Sequence, residues 1–477
     1  MIEVYNLYTE KDIDAINNEI DNIVDKVIDI KKKNYEPTIY ECFKVRDDIL
    51  KFIKDNKRII YGGTAWNELI KAKNPDDKIY SDNDCNDIEF YSCKPIDDLI
   101  KLCNILNKKY KYVRASEALH PETFTIFVNF NPMCDITYMP GPIFNNIKKI
   151  NINGINYIHP SVILIDILRQ YNDPINSYWR LKEKKTFERA NKILKYYPLE
   201  LEKGNIKEKT INKELLEYLF FNIKNINSLI FLLSNFYLYP DNDKIILDDK
   251  LIVYTDNYIN DAKLIYSIIL KYFSTKNLLN EVDNILTFEE YLPFFQFWDK
   301  RIIFKYNDIP FLILQGHNHV CMPFHEAYIN KDKIDYVIYN SIKNNNKEYN
   351  LIKIGTFMMV LNYYITSYHY YDVYSKKECK NIEIFISNLL DIRYKYLKNK
   401  KLTVIDKSPY QEFIIDCYGQ TTDPFRAARL RYYKRREKGK KIQFTYDPNV
   451  NIEPEDINFK NTSGNINNKS IAWLTQI

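Results

Sequence analysis

Glycine is scarce in this chain, ten in 477 residues, yet two stand side by side at Gly62-Gly63, between a strand-like run from Arg58 to Tyr61 and a segment of helical spacing from Ala65 to Ala72. A strand that reaches a glycine pair and continues at once as a helix constrains the fold to a β–turn–α unit. Glycine lets the backbone turn tightly and approach a ligand, and a helix N-terminus offers unpaired N–H groups to a phosphate. Thr64 adds a hydroxyl. Taken alone, the pattern also describes an ordinary strand-to-helix turn.

Two further segments narrow the reading. In Asp87-Ile88-Glu89-Phe90-Tyr91 the strand period of two puts both carboxylates on one face and turns Ile88 and Phe90 toward a core. Adjacent carboxylates repel unless a cation lies between them. Magnesium, or manganese in its place, is the hard divalent ion suited to oxygen ligands. After a helix over Asp97 to Tyr110, a strand from Phe124 to Phe130 continues into Cys134 to Tyr138, which carries Asp135 beside the first pair. A phosphate cradle, carboxylates at i and i+2, and a third on a neighbouring strand together describe a two-metal phosphoryl-transfer site. Upstream, Asp82 and Asp84 form an alternative D-x-D pair in polar, turn-like surroundings, and it ranks second.

The length leaves room for roughly three domains. Apolar residues at 13, 16, 20, 23, 27 and 30 predict an amphipathic helix packed on its own domain. A second helix is expected over Tyr40 to Lys54. The expected organisation is N-terminal helices over 1–57 and a catalytic α/β domain over 58–150. A helical nucleotide-binding region follows over 151–240 (helices Ser161 to Gln170, Tyr178 to Tyr196, Lys213 to Tyr237), then a second, catalytically silent α/β domain over 241–405. That last domain has a hairpin turning at Asn307-Asp308 and an apolar helix from Thr356 to Tyr374. Residues 406–477 carry a basic segment and a poorly ordered tail. The fold class is mixed α+β, and no internal repeat is visible.

With 45% hydrophobic residues, the chain is not disordered throughout. No apolar run reaches the 18 or so residues of a membrane span, so no membrane contact is expected. The N-terminus lacks the pattern of a signal peptide. Eight single cysteines without a CxxC pair suit a reducing compartment, and the expected location is cytoplasmic. His317, His319, Cys321 and His325 meet no zinc spacing rule and read as structural. Charge is concentrated between Arg426 and Lys441, where nine basic residues accompany one acid and five of the chain's 13 arginines fall within 11 residues. Such a stripe suits a polyanion. Arg426, Arg429, Arg431, Lys434, Arg435 and Arg436 are its candidate RNA-phosphate ligands, with Tyr432 and Tyr433 placed to stack on bases.

The order of GGT-helix, D-x-E and distal D resembles the DNA polymerase β-like nucleotidyltransferase superfamily. More closely, YGGTAWNELI, DIEFYS, CDITYMP and SYWRLKEKKTFERANKILKYYPL resemble the poly(A) polymerase catalytic subunits of large cytoplasmic DNA viruses of the mimivirus, asfarvirus and poxvirus type. The resemblance implies that Asp87, Glu89 and Asp135 bind the metals and that Gly62, Gly63 and Thr64 hold the triphosphate of ATP. It also implies that Arg180 and Lys184 on the following helix, near Trp179 and Arg189, contact the nucleotide. The implied activity is template-independent addition of AMP to an RNA 3′ end. The implied assembly is a homodimer with the Ile13 to Ile30 seam as one contact, and the implied site is a viral factory or virion. Glu89, where the superfamily more often has aspartate, is a departure. The alternatives are another nucleotidyltransferase, acting with uridine or on a small molecule, and a non-catalytic RNA-binding scaffold.

Overall fold

The computed structural model describes residues 7–173, 175, 177, 185–205, 213–242, 245–317, 321–330, 336–338, 349–376, 378–419, 423–441, 443–450, 457–467 and 471–475. Helices α1 (Glu10–Asn34) and α2 (Ile39–Asp55) lead into a first sheet. Its strands are β1 (Ile59–Tyr61), β2 (Ile88–Ser92), β3 (Arg114–Glu117), β4 (Thr123–Val128), β5 (Asn131–Tyr138), β6 (Lys149–Ile152) and β7 (Ile155–Ile158). Four helices intervene or follow: α3 (Gly62–Lys73), α4 (Pro95–Asn107), α5 (Gly141–Asn146) and α6 (Pro160–Tyr171). The strand order is β3-β4-β5-β2-β1-β7-β6, and a short edge strand, Thr445–Tyr446, is added on β3. The stretch expected to run on from Phe130 to Cys134 is instead a hairpin. Asn129 and Phe130 turn it with φ of 47° and 66°, the left-handed pair that a two-residue turn between twisted strands requires.

A second sheet contains β8 (Leu229–Phe231), β9 (Leu251–Thr255), β10 (Leu286–Tyr291), β11 (Arg301–Tyr306), β12 (Ile309–Gly316), β13 (Met322–Asn330), β14 (Tyr336–Ile338) and β15 (Tyr349–Gly355). Its order is β10-β11-β12-β9-β8-β15-β13-β14. That is the order of the first sheet again. In each, an antiparallel pair (β1 with β2, β8 with β9) is flanked by a parallel strand on either side. Registers coincide as well: Phe90 lies opposite Ile60 and Ile136, and Val253 lies opposite Phe231 and Leu314. The anchor that follows is also shared. Ser92 donates to Asp98 at 2.5 Å, and Thr255 donates to Asp261 at 2.5 Å. The two units are a structural duplication without a sequence repeat, and they meet where α6 packs against the helix Phe357–Tyr374.

Other expectations are corrected. Helix α1 has a capping box between Thr9 and Asp12 and three lysines in its last turn, so it is well terminated, yet none of its residues is buried. Its seam from Ile13 to Ile30 is more than 40% exposed at every position, because nothing among the described residues covers it. The segment expected as one helix from Lys213 to Tyr237 is broken into Lys213–Ile223, the central strand β8 and Ser234–Leu238. The C-terminal stretch is not loose across its described residues. Phe444 and Phe459 pack their ring edges on Phe124, Ser463 and Ile466 bridge to Phe294 and Tyr291, and Leu474 is fully buried. Isolated aromatic anchors do this without any helical or strand period. Cys321 and Cys417, read as single thiols, are joined as a disulfide where Cys417–Tyr418 pairs with β13, with Cα atoms 5.4 Å apart.

Candidate active site

The expected strand, glycine pair and helix are all present. β1 ends in extended backbone at Tyr61, and α3 begins at Gly62 itself with φ of 66°. A Cβ on Gly62 would lie 1.5 Å from Glu89 Oε2, and one on Gly63 would lie 2.1 Å from the Tyr80 hydroxyl. A side chain at Gly62 would meet left-handed backbone and push the Glu89 carboxylate aside, and one at Gly63 would displace the Tyr80 hydroxyl. The Gly63 N–H donates to Glu89 Oε2 at 3.1 Å, and the Thr64 hydroxyl donates to the carbonyl of Asp87 at 3.0 Å. In this arrangement a carboxylate occupies a donor at the helix N-terminus that a phosphate oxygen can also accept from.

The carboxylates fall where the strand period places them. Glu89 on β2 is in register with Asp135 on the parallel strand β5, and with Tyr61 on β1. Ile88, Phe90, Cys134 and Ile136, on the opposite face, are fully buried. Asp87 immediately precedes β2 on the carboxylate face. Asp135 accepts a hydrogen bond from Thr125 at 2.6 Å. Burial raises its carboxyl above the ordinary value against that bond, and the charge of Asp87 raises it further. Asp87, exposed just before β2, is raised by the partial desolvation its surroundings impose, opposed by the positive charge of Arg46, which anchors to the carbonyl of Asn86 at 2.7 Å. Beneath them Tyr61 stacks on Tyr91 at 4.0 Å and bonds Thr137 at 2.6 Å.

Among the described residues, no three His, Cys, Asp or Glu side chains are gathered closely enough to enclose a metal ion. The donor set nevertheless fits a hard divalent cation. It consists of carboxylate oxygens, and two of its members are raised in the cation's absence, one partly by the other. The alternative pair is spoken for elsewhere: Asp82 binds Lys78, and Asp84 binds Lys32 at 3.2 Å and caps Ser81 N–H at 3.1 Å.

Tyr80 and Asn67 carry roles that the sequence did not signal. Asn67, buried on α3, accepts the N–H groups of Ile79 and Tyr80 at 2.9 and 3.0 Å and so sets Tyr80 over Gly63. Arg189 lies 5.5 Å from the Tyr80 ring centroid. Its helix, Lys185–Tyr196, is tied to the same loop by Lys195 and Tyr196 at Asp77. Arg180 and Lys184 lie outside the described residues. So does His319, while His317 and His325 are half-buried and pushed down to about 4 by desolvation.

The basic segment is a helix, Pro424–Glu437, capped by Asp423. Of its six candidate RNA ligands, Arg435 pairs with Glu117 at 2.7 Å, and Arg431 reaches Glu117 at 3.6 Å and the carbonyl of Leu119 at 2.7 Å. These two dock the helix on β3. Arg426, Arg429, Lys434 and Arg436 are exposed.

A family model described as poly(A) polymerase catalytic subunit matches residues 47–177, and a second, for the C-terminal part of that subunit in APMV, matches residues 191–475. A relative from Acanthamoeba polyphaga mimivirus, named as a candidate poly(A) polymerase catalytic subunit, is 33% identical over 96% of this chain and 82% of its own. One of the same name from African swine fever virus is 29% identical over 32% of each. The crystal structure of the Megavirus polyadenylate synthase superposes with a TM-score of 0.81 at 30% identity, covering 98% of this chain and 94% of that one.

Proposed function

Because the chain belongs to the poly(A) polymerase catalytic subunit family, we infer that it is a polynucleotide adenylyltransferase, adding AMP from ATP to RNA 3′ ends without a template. The attacking 3′-oxygen bonds to the α-phosphorus of ATP, the bond to the β-phosphate bridge breaks, and pyrophosphate leaves. The observation that carries this reading onto particular residues is the register of Glu89 with Asp135 in front of the Gly62-Gly63 turn.

Asp87, Glu89 and Asp135 would hold divalent metal, with magnesium the ion suited to three carboxylates. Bound there, it supplies the charge that lowers the pKa of the attacking hydroxyl and stabilises the leaving pyrophosphate. Asp135, raised by burial, is suited to take the proton of the 3′-hydroxyl. Gly63 N–H, which Glu89 would free if it bound metal, and the Thr64 hydroxyl, which now donates to the carbonyl of Asp87, are the proposed triphosphate donors. Arg180 and Lys184 complete the nucleotide contacts in this reading. Arg426, Arg429, Lys434 and Arg436 present charge to the RNA, while Arg431 and Arg435 hold their helix in place.

Among the described residues no helix is long and apolar enough to cross a membrane. Action in the cytoplasm, at a viral factory or in the virion, is part of the proposal. So is a homodimer, for which the uncovered seam of α1 is the proposed contact. Sedimentation as a strict monomer would refute it. The decisive test of the chemistry is extension of a labelled RNA with each nucleoside triphosphate in turn. ATP alone should support long extension, and Asp87→Asn and Asp135→Ala should each abolish it. Full activity in either variant would refute the assignment.

A further inference from the structure

Tyr112 and Phe130 leave 57% and 64% of their surface exposed, and their rings pack on one another with centroids 4.8 Å apart at 30°. Both are held on left-handed backbone, with φ of 51° and 66°, a conformation that bulky side chains rarely adopt. Gly and Asn are the residues that such backbone favours, as Asn129 shows beside Phe130. Two large aromatic rings held outward on strained backbone, contributing nothing to the core, point to a use at the surface.

Their surroundings say what kind of partner they meet. The guanidinium of Arg114 lies 5.4 Å from the Phe130 ring centroid. Lys108, Lys111 and Arg114 are exposed, while Lys109 is engaged by Asp48 at 2.6 Å. The aliphatic neighbours Val113, Val128 and Met133 are all buried, so the patch is two rings with Arg114 against one of them and exposed lysines near Tyr112 in the chain, without the aliphatic border of a protein-docking surface; Glu41 beside the turn is engaged by Asn129 at 2.9 Å. Its place in the fold is also informative. Asp87 and Glu89 lie at the starting end of β2, and the parallel register sets Asp135 beside them, midway along β5. The β4–β5 turn and the start of β3 lie at that same end. Phe130 precedes Asp135 by five residues, roughly 16 Å of extended strand.

We propose that Tyr112 and Phe130 form a stacking platform for bases of single-stranded RNA upstream of the 3′ end, with Lys108, Lys111 and Arg114 holding its phosphates. Every base presents a π-face, so such a platform accepts any sequence, as an enzyme that receives varied transcripts requires. The inference rests on the adenylyltransferase reading for the polarity of the RNA and on the exposed rings and cations for its location.

The test is the full chain carrying Tyr112→Asn and Phe130→Asn together. Asparagine suits left-handed backbone, so the variant should melt no lower than the parent. Its affinity for a long single-stranded oligonucleotide should fall about ten-fold or more, with an unchanged salt slope, because no charge is removed. KM for ATP, and addition of one nucleotide to a primer only a few residues long, should not change. Replacing Lys108, Lys111 and Arg114 by glutamine should flatten the salt slope by about two units. A parent that extends RNA, beside an Asn variant that binds long RNA equally well, would overturn the platform and leave the rings as a protein-docking surface. Equal loss on the shortest primer would also overturn it. A parent that binds RNA but adds no nucleotide, with binding lost in the variant, would keep the platform and remove the transferase reading.

Discussion

Gly62→Ala is the smallest change that tests how the glycine pair serves the site. Two separate costs follow from the geometry. Alanine at φ of 66° costs about 1–2 kcal/mol in left-handed backbone. Its methyl would also displace the Glu89 carboxylate, whose oxygen lies 1.5 Å from the Cβ position, and break the bond to Gly63 N–H. A charge-assisted bond of this kind contributes about 1.5–3 kcal/mol, and the lower end applies because Glu89 is only half-buried. The expected destabilisation is therefore roughly 2–4 kcal/mol. In a Glu89→Ala background the second cost is already removed, so adding Gly62→Ala should cost only about 1–2 kcal/mol. Urea titration followed by a probe in the first unit reads this double-mutant cycle, and the coupling should exceed about 1 kcal/mol. Equal penalties in both backgrounds would refute the idea that Glu89 is what forbids a side chain here. Gly62→Ala should also raise KM for ATP, because the displaced carboxylate and methyl crowd the proposed triphosphate donors.

In metal-free protein Asp87→Asn and Asp135→Asn should raise the melting temperature near neutral pH. Both carboxyls are raised in the folded state, so the stability they contribute is present at low pH and lost as pH rises through the raised values. The advantage of the variants should shrink as pH falls toward the unfolded carboxylate range near about 4, and millimolar magnesium should stabilise the parent more than either variant. Neutralising Arg426, Arg429, Lys434 and Arg436 to glutamine should flatten the salt dependence of RNA binding by roughly one unit for each phosphate no longer neutralised, measured by anisotropy, without lowering the melt. Arg435→Ala should instead loosen the basic helix, seen as faster hydrogen exchange over 424–437, because Glu117 is left partly buried without its closest cation.

What the sequence disclosed follows from short-range rules. Period-two alternation placed Glu89 beside the core residues Ile88 and Phe90. Asn307-Asp308, at φ of 49° and 62°, marked a hairpin, and Thr356 capped the helix Phe357–Tyr374 as its apolar run suggested. What it hid depends on contacts between distant segments. Tyr80 sits in a polar run that reads as a loop, and it is held over Gly63 by distant residues, Asn67 on its backbone and Arg189 against its ring. Arg431 and Arg435 looked like free RNA ligands because Glu117, the partner of both, lies 318 residues from Arg435. The seam of α1 has the spacing of a buried face, and spacing does not reveal whether anything covers it. The duplication was invisible because the two units share strand order, register and the hydroxyl–aspartate anchors at Ser92 and Thr255, while their remaining side chains differ.

That duplication also bears on why the proposed chemistry lies in one unit. Matching registers set Lys250, Ile252 and Ile313 at the positions of Asp87, Glu89 and Asp135. Ile252 and Ile313 are buried, so the face that is polar in the first sheet is closed by packing in the second. The helix N-terminus equivalent to Gly63 is occupied too. Asp248 accepts the N–H groups of Ser234 and Asn235, each at 2.8 Å, and burial pushes its carboxyl up to about 6 against those bonds. Where Glu89 is half-exposed and can exchange Gly63 for a metal or yield it to a phosphate, Asp248 is sealed in and has no such alternative. The same strand order thus offers the proposed reactive centre only where the carboxylate row remains open to solvent. In the second unit that row has been replaced by packing, which leaves the sheet able to support its neighbour through the α6 contact but without carboxylates to hold a metal at the equivalent positions.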